Sequence, residues 1–293
     1  MDSKAIRKDG TRTGLLVIAN QIVFQAGTLI MLFLAAFLFG RLGIRLGEGT
    51  LSYISSDIMQ LIAGVIFLVF FLKYRNEISA PPMGKRRCSA KVFVKYLAAV
   101  FAVNMAVSAV DYILQLTMDI HLAGESENIK ENSVIMLIFI GIFPAITEEH
   151  IYRGIIYRYL RKHGTIFAAA MSSMIFGLVH MNFIQLVFAG AMGFVLCLLY
   201  EKTGSLRYGM LIHFLNNSLM VAFLYIPVSE NIKMYIQIFS GAISIFVLLG
   251  LAYRKRNIID EDTLAVCKSF MLSIPMIILV IGCVAGCLVM ITS

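Results

Sequence analysis

Nine stretches of roughly 18–25 mostly apolar residues, near 14–40, 51–73, 92–116, 134–160, 165–182, 183–200, 208–227, 233–253 and 268–291, have the length an α-helix needs to cross about 30 Å of hydrocarbon. Hydrocarbon satisfies no backbone N–H or C=O, so such a chain must close its hydrogen bonds within each segment, as a helix does. Of the 293 residues 59 % are hydrophobic and 14 % charged. Mean hydropathy is +0.85. Soluble domains carry about 25 % charged residues, and too little polar surface is left here to keep a globule dissolved. The expectation is an all-α, polytopic transmembrane helical bundle of about eight to nine spans, eight if one run lies in the interface or two merge.

The net charge of +8 suggests nucleic acid only in a soluble protein. Here the basic residues sit in short loops beside apolar runs, where anionic lipid headgroups are the simpler partner and no nucleic acid is needed. Cys88, Cys197, Cys267, Cys283 and Cys287 form neither a disulfide framework nor paired CxxC. The first apolar run is too long for a signal peptide and has no small-residue cleavage site, so it reads as a retained anchor. With the N-terminus cytoplasmic, all of the 25 Lys and Arg except Arg41, Arg45, Lys130 and Lys233 fall on the cytoplasmic side, as the positive-inside rule requires. The Pro81-Pro82 loop with Lys85-Arg86-Arg87 is the sharpest internal boundary. The chain divides into three spans (1–130), four spans that carry the chemistry (131–228) and two more (229–293).

Charged groups inside a span cost a few kcal/mol each, and the fourth run holds the densest set, Phe143-Pro144-Ala145-Ile146-Thr147-Glu148-Glu149-His150-Ile151-Tyr152-Arg153. Glu149 and Arg153, four apart, share a helix face and can form an ion pair. Glu148 is about 140° around from Arg153 at 3.6 residues per turn, so it projects elsewhere and is free to act as a base. Pro144 cannot donate to the carbonyl of Ile140, so the helix should kink there. A structural Glu–Arg clasp at a helix end is the plainer alternative. Phe176 and His180 share a face, so the ring can fix the imidazole, although a lone His near a span end is more often a satisfied polar group. His213 and Asn217 present an imidazole and an amide together, fit either for an oxyanion or for an interhelical clasp. Gly282 and Gly286 form a GxxxG, read as close packing. A carboxylate base, imidazoles and an amide donor suffice for hydrolysing a peptide without a nucleophilic side chain.

Glu148-Glu149-xxx-Arg153, Phe176-xxx-His180 and His213-xxx-Asn217, in that order on three runs, resemble the CPBP intramembrane proteases, the CAAX prenyl protease and bacteriocin-processing (Abi) family. Gly204-Ser205-Leu206 looks like the lead-in to the third motif, and the likeness covers roughly 134–222. It implies an intramembrane endopeptidase acting on a membrane-associated, lipidated or secreted-peptide precursor. Glu148, helped by His180, would activate water. Glu149 and Arg153 would hold the site, and His213 and Asn217 would stabilise the oxyanion, with Asn216 as a less suitable substitute. The family has also been described as metal-dependent, which would make Glu148, His180 and His213 zinc ligands around one open position. No HExxH is present, and the expectation is a cofactor-free glutamate–histidine mechanism.

Straight spans would place the motifs at unequal depths. Glu148 lies about 15 Å from Arg158, His180 about 24 Å from Gly164 and His213 about 9 Å from Arg207, at 1.5 Å per residue. A shared site therefore demands tilt, a break near Pro144 or turns that dip into the protein. Two rivals stay open: a non-catalytic membrane partner such as an immunity protein, and an ion-coupled transporter, for which Asp111 is the best-suited residue.

Overall fold

The computed structural model describes residues 2–42, 48–82, 87–118, 133–225, 227–254 and 261–292. Arg45, Lys85, Arg86, Lys130, Lys255, Arg256 and the acidic loop with Asp119, Glu125, Glu127 and Glu131 lie outside these residues. Ten helices and no strand are found among the described residues: α1 (Ser3–Leu42), α2 (Glu48–Tyr74), α3 (Ala90–Met118), α4 (133–163), α5 (Thr165–Leu178), α6 (Phe183–Thr203), α7 (Leu206–Tyr225), α8 (Glu230–Arg254), α9 (Glu261–Met271) and α10 (Ile274–Thr292). The protein is an all-α membrane bundle. Every apolar run carries helix.

By length and composition four described helices suffice to cross a bilayer: α1, α2 from Thr50, α3 to Thr117, and α6. A fifth is gained if α9 and α10, bent by 83° at their junction, count as one. The eight to nine spans expected are not confirmed by these helices, and several runs depart from a straight apolar span. The run at 165–182 yields only the 14 residues of α5, about 21 Å of helix. The last run is broken at 272–273. In α7 the polar residues His213, Asn216 and Asn217 dilute the apolar character. His180, expected within a span, instead lies in the turn between α5 and α6.

The core is centred on α4 to α7, with residues of α1, α2, α9 and α10 such as Val17, Phe67, Phe270 and Met276 packed into it. α5 and α6 form an antiparallel hairpin in which Ser173 lies beside Cys197, with Oγ–Sγ 3.8 Å. Closer to the turn, Gly177 meets the backbone of Leu186, and a Cβ there would run into the Leu186 carbonyl oxygen. α4 is the irregular element. Its turns are π-helical over Leu137–Ile142 and Glu149–Tyr157, with an α-helical segment, Phe143–Glu148, between them. The expected break near Pro144 is thus spread over two wide-turn segments rather than concentrated in one kink. Wide turns leave carbonyls for side chains, and Ser172 Oγ donates to Tyr152 O at 2.7 Å. Beyond α2, Ser79 exchanges bonds with Arg158 (backbone N to O 3.1 Å, Arg158 Nε to Ser79 O 2.8 Å). The stretch before Pro81 is thereby pinned to the end of α4.

Candidate active site

Glu149 and Arg153 lie in the second wide-turn segment of α4, facing α6 and α7. Each side chain is 1 % exposed, and Nη1 approaches Oε1 at 2.9 Å. Two glycines make the room: a Cβ on Gly193 would sit 3.0 Å from Arg153 Nη2, and one on Gly209 would sit 3.0 Å from Glu149 Oε2. The guanidinium carbon is 4.6 Å from the centroid of Phe176. None of the Arg153 nitrogens has an acceptor in hydrogen-bond geometry, so the ion pair and the ring face are what balance its charge.

Phe176 organises the site. Its ring lies beside His180 (centroids 5.0 Å, planes at 81°) and His213 (6.2 Å, 74°). Its carbonyl accepts from His180 Nδ1 at 2.7 Å. That bond commits the Nδ1 proton and leaves His180 Nε2 with a lone pair. Phe176 therefore fixes both the position of this imidazole and its tautomer, where the spacing alone indicated only ring packing.

Glu148 projects away from Arg153, as the helix angle indicates, but it is not without a neighbour. His213 places Nε2 at 3.7 Å from Glu148 Oε2 and Nδ1 at 3.1 Å from Glu149 Oε1. The histidine thus bridges the two carboxylates, one tethered and one facing open space. A cavity of about 410 Å³ is lined by Glu148, His180, His213, Asn216 and Asn217, together with Asn104 from α3. Glu149 and Arg153 stand behind its wall. His150 is exposed, and its Nδ1 donates to Ile146 O at 2.8 Å.

Asn217 makes an interhelical bond, one of the two readings open for it. Its Nδ2 donates to Ile140 O at 2.9 Å, the carbonyl that Pro144 cannot engage. One of its two amide protons is therefore committed, and one is left for the cavity. A chain of side-chain bonds extends behind it: Ser108 Oγ to Asn104 Oδ1 (3.4 Å), Asn104 Nδ2 to Asn216 Oδ1 (3.2 Å) and Asn216 Nδ2 to Asn217 Oδ1 (3.2 Å). Every link runs donor to acceptor in one direction, so the released carbonyl sets the orientation of three amides. Asn104, Gly193 and Gly209 were missed from the sequence. An Asn amid apolar residues of the third run was the one signal available.

For metal, the relevant set is Glu148, His180 and His213. Among the described residues no three His, Cys, Asp or Glu side chains converge as a metal ion requires. Glu148 and His213 face each other, but His180 does not join them. The donor set does not fit a three-ligand site.

Residues 130–219, which contain all three motifs, match the model of the family described as Type II CAAX prenyl endopeptidase Rce1-like. The chain is also similar to "Putative membrane peptidase YdiL" of Bacillus subtilis (strain 168), 29 % identical over 139 residues, which are 47 % of this chain and 57 % of that protein. The chain thus spans little more than half the length of that relative. No solved structure gives a significant match. The family-model match falls on the residues that carry the motif resemblance.

Proposed function

We propose that this chain, Rce1-like over residues 130–219, is an intramembrane endopeptidase that hydrolyses a peptide bond with water activated by Glu148. The observation that carries the proposal is that Glu148, His180, His213 and Asn217 open onto one shared cavity. Glu148 takes a proton from water as the hydroxide oxygen bonds to the scissile carbonyl carbon. His180 Nε2, a lone-pair acceptor, holds the second hydrogen of that water. The oxyanion accepts from His213 Nε2–H, with Glu149 supporting the imidazolium through Nδ1, and from the uncommitted Asn217 N–H. When the C–N bond breaks, the nitrogen leaves with the proton held by Glu148. No metal takes part in these steps.

The substrate we propose is a membrane-associated, lipidated or secreted-peptide precursor, reached in the cell membrane with the N-terminus of the enzyme in the cytoplasm. The basic residues beside the apolar runs support that orientation. The test compares wild type with Glu148→Ala in proteoliposomes given a mixed pool of membrane and lipidated peptides, read by mass spectrometry with and without a chelator. Cleavage by wild type alone, indifferent to chelator, is the expected result. Chelator-sensitive cleavage would replace the metal-free mechanism. No cleavage by folded wild type across the pool would overturn the peptidase reading.

A further inference from the structure

His180 is carried by the turn 179–182, and that turn contains the one non-glycine residue with positive φ among the described residues, Met181 at 51°. The left-handed region is unfavourable for a side chain with a Cβ, so the surroundings must impose it. Within the hairpin, Met181 N donates to Leu178 O at 3.1 Å, and Asn182 Oδ1 caps α6 by accepting from Gln185 N at 3.0 Å. Two further elements close on the turn from outside the hairpin. From α1, Gln21 Nε2 donates to Val179 O at 3.4 Å and Gln25 Nε2 approaches Met181 Sδ at 4.0 Å. From α10, Gly286 lies flush against Met181: a Cβ there would sit 3.1 Å from Sδ and 3.2 Å from both Cβ and Cγ. Gly282, one turn earlier on the same helix, has nothing within 4 Å of such a Cβ. Only one glycine of the GxxxG therefore has a steric reason to be glycine, and it packs against a turn rather than a helix.

We infer that Gly286 is a positioning residue for His180, acting through Met181: α10 supplies a Cβ-free seat that keeps the strained turn, and with it the imidazole on the cavity that Glu148 also lines, in place. The inference rests on the peptidase reading above. It gives α1 and α10, both outside residues 130–219, a part in the active site beyond anchoring. His180 is held from its own hairpin, by N to Gly177 O at 3.3 Å and Nδ1 to Phe176 O at 2.7 Å, so a displaced Met181, the next residue, pulls on both bonds and moves the imidazole at the cavity edge. Misplacement by about 1 Å can cost up to 100-fold in rate.

The experiment uses the full chain in proteoliposomes, with Gly286→Leu, the same-helix control Gly282→Leu, and Gly286→Leu combined with Met181→Gly, which removes the obstructing side chain and suits positive φ. Two readouts are taken: kcat and KM on a cleaved peptide, and the imidazole ¹⁵N signals of His180 across pH, readily assigned in a chain with five histidines. Gly286→Leu is expected to lower kcat about tenfold or more at unchanged KM and to shift the His180 signals. Gly282→Leu should behave as wild type, and Met181→Gly should restore both readouts. If Gly286→Leu does not fold, Gly286→Ala is read instead, with a smaller shift in the same direction. The inference is overturned if the two glycine variants behave alike, if kcat falls with the His180 signals unmoved, or if Met181→Gly restores nothing. A wild type that cleaves no peptide would sink the peptidase reading alone, since the His180 signals still decide whether Gly286 governs the turn.

Discussion

The Glu149–Arg153 pair allows the sharpest test of how the site is held. Both side chains are 1 % exposed, so removing one partner strands the other charge where water does not reach it, at a cost of about 3–5 kcal/mol. Arg153→Met leaves Glu149 with His213 alone. Glu149→Leu strands Arg153, whose nitrogens have no other acceptor, and also removes the acceptor of His213 Nδ1, so it should cost at least as much. Replacing a buried pair by apolar groups of similar volume is often neutral or stabilising by about 1–4 kcal/mol. The double variant Glu149→Leu/Arg153→Met should therefore be more stable than either single one, and at least about 3 kcal/mol above the sum of their effects. It should nevertheless stay inactive, because His213 no longer has Glu149 to orient it. The chain has no Trp, so reversible unfolding in mixed micelles is best followed by circular dichroism, with peptide cleavage measured on the same samples. Single variants costing under about 1 kcal/mol, the range of a solvent-exposed pair, would refute the reasoning. Strict additivity in the double variant would refute it equally.

Three further outcomes can be checked separately. Asn104→Leu and Asn216→Leu should each cost about 1–3 kcal/mol by leaving a buried amide partner unmet; a double-mutant cycle should show coupling, and Asn216→Leu should lower kcat because Asn217 Oδ1 loses its donor. Gly177→Ala forces a Cβ against the Leu186 carbonyl oxygen and should destabilise by about 1–3 kcal/mol, read as a lower melting temperature. At the helix ends, Lys162 donates to Glu77 at 2.9 Å, with Arg12 also at 2.9 Å, and these cations hold the Glu77 carboxyl below its ordinary 4.5. Their support is complete above that ordinary value and fades as pH falls below it. Melting temperatures from about pH 7 to about pH 3 should therefore drop less steeply in Glu77→Gln than in wild type.

Four-residue spacing conveyed which side chains share a face, and that much was legible. The Glu149–Arg153 pair, the Phe176–His180 packing and the carbonyl of Ile140 released by Pro144 all follow from local geometry. Spacing does not say what lies opposite a face. Asn217 meeting Ile140 O joins residues 77 apart, and Asn104 meeting Asn216 joins residues 112 apart; no local pattern encodes either. His213 was paired with Asn217 because they share a helix, yet its Nδ1 goes to Glu149 on another. Span counting is limited for a related reason. Hydropathy registers that a segment is apolar, and an apolar segment can be buried in protein, as α5 is, as readily as it can face lipid.

The unequal depths expected of straight spans are resolved by where the helices begin and end. α4 does not stop at Arg158 but runs to His163, which puts Glu148 about 22 Å from that end at 1.5 Å per residue. From Thr165, the start of α5, its end at Leu178 is about 20 Å away by the same rise, with His180 in the turn just beyond. The third helix starts elsewhere. A Cβ on Gly154 would meet the Leu206 side chain at 3.4 Å, so α7 begins level with the middle of α4, about 13 Å inside the His163 end. His213 lies about 10 Å further in, which brings it to about the same depth as the other two. The chain reaches that recessed start through Gly204, whose φ of 66° closes α6. A turn drawn into the protein at 204–205 is thus one departure from straight spans that brings His213 towards the cavity shared with Glu148 and His180.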